Sequence, residues 1–497
     1  MKMTTRSDLW EELRALARHR ALVESVVAVL AWDEEATMPP RGAGHRSEQQ
    51  ALLAGLLHQC DASQRMADLL EALEGKATGE PELADLRILR ARLARARKVP
   101  ERLIEELARV TTLAQEAWRE ARARDDFALF APWLDNVLRL KREEAAALDA
   151  RRGAWDILLD EHEPGLTERE LTALLGPLET ALRPLVAALC ERPPPDGRAV
   201  LARPVAEVAQ AALALEVAKA VGFDGSCGRL DIAAAHPSTV AIGPGDVRMT
   251  ARSVASDNTA TLFCTLHEMG HWLYDSQVPA DRWGTPAGET SSAGLHESQA
   301  RLLEALVGRS RPFWTWCLPR LQRAYGGFDD VSVDQMLAAL CRVEATPVRV
   351  GADEVTYNLH VVVRCRLESS LLTGDLPVRD LPGAWRDEYR RALGVEAMSD
   401  GEGCLQDGHW AAGLFGYFPT YALGNLAAAQ LYEAARAAEP NLEDALARGD
   451  FAPLRDWLRA RVHVHGSTLG LLERVRVATG EPLSLTPLLR SLEQRYL

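Results

Sequence analysis

The stretch from Thr261 to Tyr274 constrains this chain more than any other. Leu262, Leu266, Met269 and Leu273 recur at steps of four, three and four, an apolar stripe of helical period. Ser256, Asp257, Asn258 and Thr259 offer N-caps ahead of it. Pro279 stops it, and Val278 before the proline is biased toward extended backbone. Next to the stripe lies His267-Glu268-Met269-Gly270-His271. Residues four apart share a helical face, so the two imidazoles point at one place, a geometry that suits zinc. Glu268 lies beside them, close enough to act as general base on a water held at the metal without being a ligand itself.

Two histidines leave a zinc ion short of protein ligands, since a catalytic site has three plus water. A second helical signal runs from Ser291 to Val307, with Ser291 or Ser292 as cap and Leu295, Leu302, Leu303 and Leu306 as its apolar side. Glu297, 26 residues after His271, can return a carboxylate to the same ion. His296 is the rival ligand, about 100° away around that helix. Cys264 would add a fourth protein ligand and close the site, so it is not expected to bind. Asp275, one turn after His271, is either a hydrogen-bond acceptor for a ligand imidazole or a solvated charge.

These residues belong to a longer ordered set. In chain order come His236-Pro237-Ser238, then Asp246, Arg248 and Thr250, then His267 to His271. After them follow His296-Glu297-Ser298-Gln299, Arg349 with Ala352 and Asp353, and Gln406-Asp407 with His409-Trp410. This order resembles the carboxypeptidase Taq family of zinc metallocarboxypeptidases, with its HPF, DxRxT, HExxH, HES/GQ, I/V-R-x-x-A-D and GxxQDxHW motifs. Ser238 stands where the family has Phe. Trp32 to Pro40 also looks like the family, so the resemblance spans nearly the whole chain.

The resemblance implies removal of single C-terminal amino acids from peptides, with broad specificity that disfavours proline. It also implies a homodimer, and zinc or cobalt as the activating metal. On this reading His267, His271 and Glu297 hold the metal, and Glu268 deprotonates the water and returns the proton to the leaving amine. Arg349 takes the free carboxylate, with Asp353 orienting it; the bland alternative is an ordinary ion pair between the two. By analogy with other helical HExxH peptidases, His409 and Tyr421 meet the oxyanion, with Tyr417 in reserve beside the substrate. Two other classes remain open. One is an oligopeptidase or dipeptidyl carboxypeptidase with the same metal site. The other is a helical scaffold whose structural metal has four protein ligands.

Composition narrows the partners. A net charge of −14 argues against nucleic acid. Eight cysteines without a CxxC pair read as free thiols of a cytosolic protein. No apolar run approaches the length needed to span a membrane, and the first ten residues are polar, so a cytoplasmic protein is expected.

The fold expected is mainly α: a large helical metallopeptidase with a deep active-site groove and a small antiparallel β-sheet beside the HExxH helix. One domain covers 1–497, with a helical lid-like half about 1–195 and a catalytic half about 196–497. Arg192 to Gly197 marks the break, as hinge or surface loop. Thr239 to Ile242 and Val247 to Ala251 read as a hairpin around Gly243-Pro244-Gly245-Asp246. Asp246, Arg248 and Thr250 share a strand face, so Arg248 either touches substrate or pairs with Asp246.

Overall fold

The computed structural model describes residues 5–192, 197–232, 237–254 and 256–497. The break at Pro193 to Asp196 and His236 of the His236-Pro237-Ser238 segment lie outside these residues. The described residues are mainly α-helical, with one small sheet. They sort into two compact units by packing. The first comprises Met1–Ala96, Asp196–Leu340 and Ala427–Leu483; the second comprises Arg97–Pro195, Cys341–Leu426 and Ser484–Leu497. Each unit therefore draws on three separate stretches of the chain, where the sequence suggested an N-terminal and a C-terminal half. Packing sorts residues by the apolar surface they bury, and sequence distance does not enter.

In the first unit a sheet of order β1-β3-β2 is built from Gly228–Ile232 (β1), Ser238–Gly243 (β2) and Asp246–Ala251 (β3). The expected hairpin is present: β2 and β3 pair antiparallel, and Gly245 at the turn has φ +79°. The sheet is mixed rather than purely antiparallel, because β1 adds in parallel to the other side of β3. That makes β3 the central strand, and its Val247, Met249 and Ala251 are buried. The Ala260–Gln277 helix packs on β3, and Trp272 Nε1 donates to the Val247 carbonyl at 3.1 Å. Its stripe of Leu262, Leu266, Met269 and Leu273 is almost fully buried. At about 1.5–3 kcal/mol per side chain, that burial fixes which way the helix faces. Val278 is extended (φ −62°, ψ 137°) ahead of Pro279, where the helix ends.

The second unit is organised around the Tyr357–Thr373 helix, whose side chains are buried on nearly every face. Leu359, Val361, Val363 and Leu371 fill the core. His360, Arg364 and Glu368, at successive steps of four, form a buried polar stripe along it. The helix ends at Gly374 with φ +87°, a left-handed cap that favours glycine. The Glu168–Cys190 helix corrects one expectation, since it is long and apolar enough to cross a bilayer. In this unit its Leu171, Leu178, Leu182 and Val186 are buried as core, and its Glu179 pairs with Arg366 and Arg391. Thr167 and Glu170 open it with a capping box.

Candidate active site

His267 and His271 project from one face of the Ala260–Gln277 helix, as their spacing requires. Glu297 comes from the Ala293–Arg301 helix, capped by Ser292, whose hydroxyl accepts from Leu295 N at 3.2 Å. Gly270 is what lets these helices meet. A Cβ there would lie 2.2 Å from the Gln299 carbonyl oxygen and 2.4 Å from Ala300 Cα. Only glycine permits so close a backbone approach.

The result is that ligand atoms of His267, His271 and Glu297 all lie within 4.8 Å of one another. The Nε2 atoms of His267 and His271 stand 3.8 and 3.7 Å from the same Glu297 oxygen. Those gaps exceed hydrogen-bond length. Two donors bound to one zinc at about 2.1 Å lie about 3.4 Å apart, so the donor set fits a divalent ion. Among the described residues no fourth such donor joins the group. Cys264 stays out, and burial pushes its thiol up to about 11. Three protein ligands are the pattern of a catalytic site.

Glu268 is 4% exposed and its Oε2 accepts from the Thr239 hydroxyl at 2.7 Å. Burial pushes its carboxyl up, opposed by His267. His271 is held well below its usual range by burial, with His296 and His267 adding to it, so its imidazole stays neutral and able to ligate. At His267 burial disfavours the cation, yet Glu297, Glu304 and Glu268 outweigh it and push the ring up to about 9. A metal at this place displaces that proton, because ligands bind deprotonated.

Glu304, which sequence reasoning did not single out, stands behind His267. It accepts from His267 Nδ1 at 2.9 Å and from Arg301 at 2.8 Å. Its carboxyl is held well below the usual range despite burial, by Arg301 and His267. A carboxylate behind a ligand imidazole fixes its tautomer and raises its basicity. Glu304 sits in a π-helical turn, Leu302–Val307, of the kind that clusters at functional sites. Its spacing of seven from Glu297 on a helical signal was the available clue. Asp275 serves His296 instead of a ligand, at 3.0 Å, and the His296 ring stacks on His271 at 4.2 Å between centroids. Arg248 pairs with both carboxylate oxygens of Asp246, at 2.8 and 2.7 Å, and lies over the Trp32 ring at 4.6 Å.

The second unit gathers the remaining predicted residues. Arg349 lies in a one-turn helix before the main helix, 7% exposed. Its expected partner Asp353 turns elsewhere, accepting from Val355 N, Thr356 N and Glu344 N. Asp353 thus caps a turn, the usual use of a short carboxylate there. Arg349 instead donates to Asp407 Oδ1 at 2.7 Å and to the Tyr357 hydroxyl at 2.9 Å. Arg364 takes the other Asp407 oxygen at 2.6 Å. These guanidiniums hold Asp407 well below the usual range against burial. Tyr421 lies under Arg349 at 5.2 Å, and its hydroxyl is 3.3 Å from His409 Nε2. The Tyr417 ring is 5.7 Å from that of His409.

Comparison with known proteins agrees with this geometry. Residues 12–496 match the family described as Carboxypeptidase Taq (M32) metallopeptidase. The chain is 43% identical to thermostable carboxypeptidase 1 of Thermus thermophilus, over 98% of both chains. It is 33% identical to carboxypeptidase 1 of Bacillus subtilis, over 95% of this chain and 94% of that one. The crystal structure of the M32 carboxypeptidase from Deinococcus radiodurans R1 superposes with a TM-score of 0.95 at 36% identity, covering 98% of each chain. The chain belongs to the carboxypeptidase Taq (M32) metallopeptidase family, and it is a metal-dependent carboxypeptidase.

Proposed function

We propose that the ion is zinc, with cobalt able to replace it, and that His267, His271 and Glu297 hold it. The observation that carries this is the convergence of those three side chains within 4.8 Å beside the buried Glu268. When bound, the ion supplies an acidified water and polarises the scissile carbonyl. Glu268 would be the base that takes a proton from the attacking water and returns it to the leaving amine. Arg349 binds the terminal carboxylate of the peptide, the recognition that restricts cleavage to the last residue. Asp407 orients the guanidinium for it. His409 and Tyr421 donate to the oxyanion, and Tyr417 lines the substrate's path. Arg248, paired through two of its N–H groups with both Asp246 oxygens, serves the sheet rather than the substrate on this reading.

The reading extends to single-residue release with broad specificity, a homodimer, a cytoplasmic location, and no part for nucleic acid or membrane. Mass spectrometry of a mixed peptide set, with free and amidated C-termini, tests it on the zinc- and cobalt-loaded protein. Loss of single residues from free-acid peptides is expected. Release of dipeptides or internal cuts favours the oligopeptidase alternative. Light scattering of the purified chain checks the dimer.

A further inference from the structure

Two of the ordered motifs contribute nothing to the ion's ligand set, and the structure links both to Glu268. The central strand β3 carries Asp246, Arg248 and Thr250. Asp246 and Arg248 hold each other, and Arg248 rests on Trp32. Thr250, 1% exposed, accepts from Ser238 N at 3.0 Å, and the two hydroxyls stand 3.1 Å apart. Ser238 opens β2, so this contact fixes where β2 begins. The register then sets Thr239 opposite Met249, which is fully buried. A one-residue slip would turn every β2 side chain to the other face. In the observed register the Thr239 hydroxyl lies 2.7 Å from Glu268 Oε2 and 3.2 Å from the Glu268 carbonyl oxygen. A hydroxyl has one proton to give, and the shorter, charged acceptor takes it.

We infer that Thr239 is a positioning residue for Glu268: its hydroxyl holds one carboxylate oxygen and leaves the other to receive the proton. The Ser238 and Asp246-to-Thr250 segments are then the mount that sets Thr239 in place. A carboxylate on a glutamate side chain swings about three torsions, and its terminal torsion is broad. Holding one oxygen removes that freedom in advance of the reaction, which is the kind of preorganisation that accelerates a step. The inference rests on Glu268 being the base.

The test uses the full-length metal-loaded protein and three variants. Thr239→Val keeps the β-branched shape and removes the hydroxyl; Thr239→Ser keeps the hydroxyl. For Thr239→Val we expect kcat to fall by about 10- to 50-fold, the cost of a slightly misplaced base. KM should stay within about twofold, with bound metal and melting temperature equal to the parent's. Thr239→Ser should recover most of kcat. The inference is overturned if Thr239→Val keeps its kcat, if Thr239→Ser is equally impaired, or if the loss appears in metal content instead. Glu268→Gln, run in parallel, separates the two readings. If it turns over peptide normally, the base assignment fails; if it is dead while Thr239→Val is fully active, only the role of Thr239 fails.

Discussion

The metal-ligand cluster and the arginine–aspartate cluster are built from opposite charge balances. Around His267 the carboxylates of Glu268, Glu297 and Glu304 converge, with Arg301 as the guanidinium that Glu304 engages. Around Asp407 two guanidiniums, Arg349 and Arg364, converge on one carboxylate. Buried excess charge is costly unless something of opposite sign joins it. The first cluster is complete when a cation binds, and the second has positive charge left over for an anion. On the proposed function those two species are a divalent metal and a peptide's terminal carboxylate.

The two clusters also differ in how they are held. The first depends on two helices crossing at Gly270. The second hangs on a buried polar stripe of a single helix, His360, Arg364 and Glu368, each bonded to at least one partner from another segment. Among the described residues no guanidinium pairs with Glu368; it accepts from Trp155 and Trp410 at 2.7 and 2.8 Å and from Gly416 N. Burial pushes its carboxyl up to about 7.

The largest effect is expected at the first cluster. Glu268→Gln should lower kcat by about 10³-fold or more while zinc stoichiometry, measured by elemental analysis, stays at the parent's value. Normal turnover in that variant would remove the base from the scheme. At the second cluster, Arg349→Ala should lower kcat/KM for free-acid peptides by about 10²-fold. It should also narrow the preference for free over amidated C-termini. If the preference persists, the anion is bound elsewhere.

A smaller change is expected at Glu304. Glu304→Gln should weaken zinc affinity by about 10- to 100-fold in a chelator competition, with the fold retained by circular dichroism. Equal affinity would mean that His267 needs no partner. The least effect on turnover is expected at Glu368, which should appear in stability alone. Its folded pKa of about 7 lies above the ordinary 4.5, so the native state keeps a proton that the unfolded chain releases. Its contribution is present below pH 4.5 and lost as pH rises to 7, at a slope of at most about 1.4 kcal/mol per pH unit. Denaturant melts should show Glu368→Gln flattening that slope; an unchanged slope would mean the carboxyl is ionised throughout.

Much of the first cluster was legible because its logic is local. The four-residue spacing of His267 and His271, the apolar stripe and the Pro279 stop are all properties of one helix. The second helical signal offered Glu297, with His296 as its rival, and the family motif agreed with it. What stayed hidden depends on contacts across the chain: His267 to Glu304, Glu268 to Thr239, and Arg349 to Asp407 in place of Asp353. The parallel strand β1 was missed for the same reason, since a five-residue strand flanked by a turn has no periodic signature of its partner. Glu168–Cys190 shows the converse. Its composition fits a bilayer, and only its packing shows that one face, with Leu178 and Leu182 fully buried, belongs to the core of this unit.

By itself the amino-acid sequence determined the helix that carries the two histidines, the glutamate beside them and the face they share. It could do so because side-chain direction along a helix follows from residue spacing alone. Tertiary structure decided which carboxylate stands behind His267, which hydroxyl holds Glu268 and which acid holds Arg349. Those partners are chosen by how strands and helices bury their apolar faces, and burial brings together residues 29, 37 and 58 positions apart.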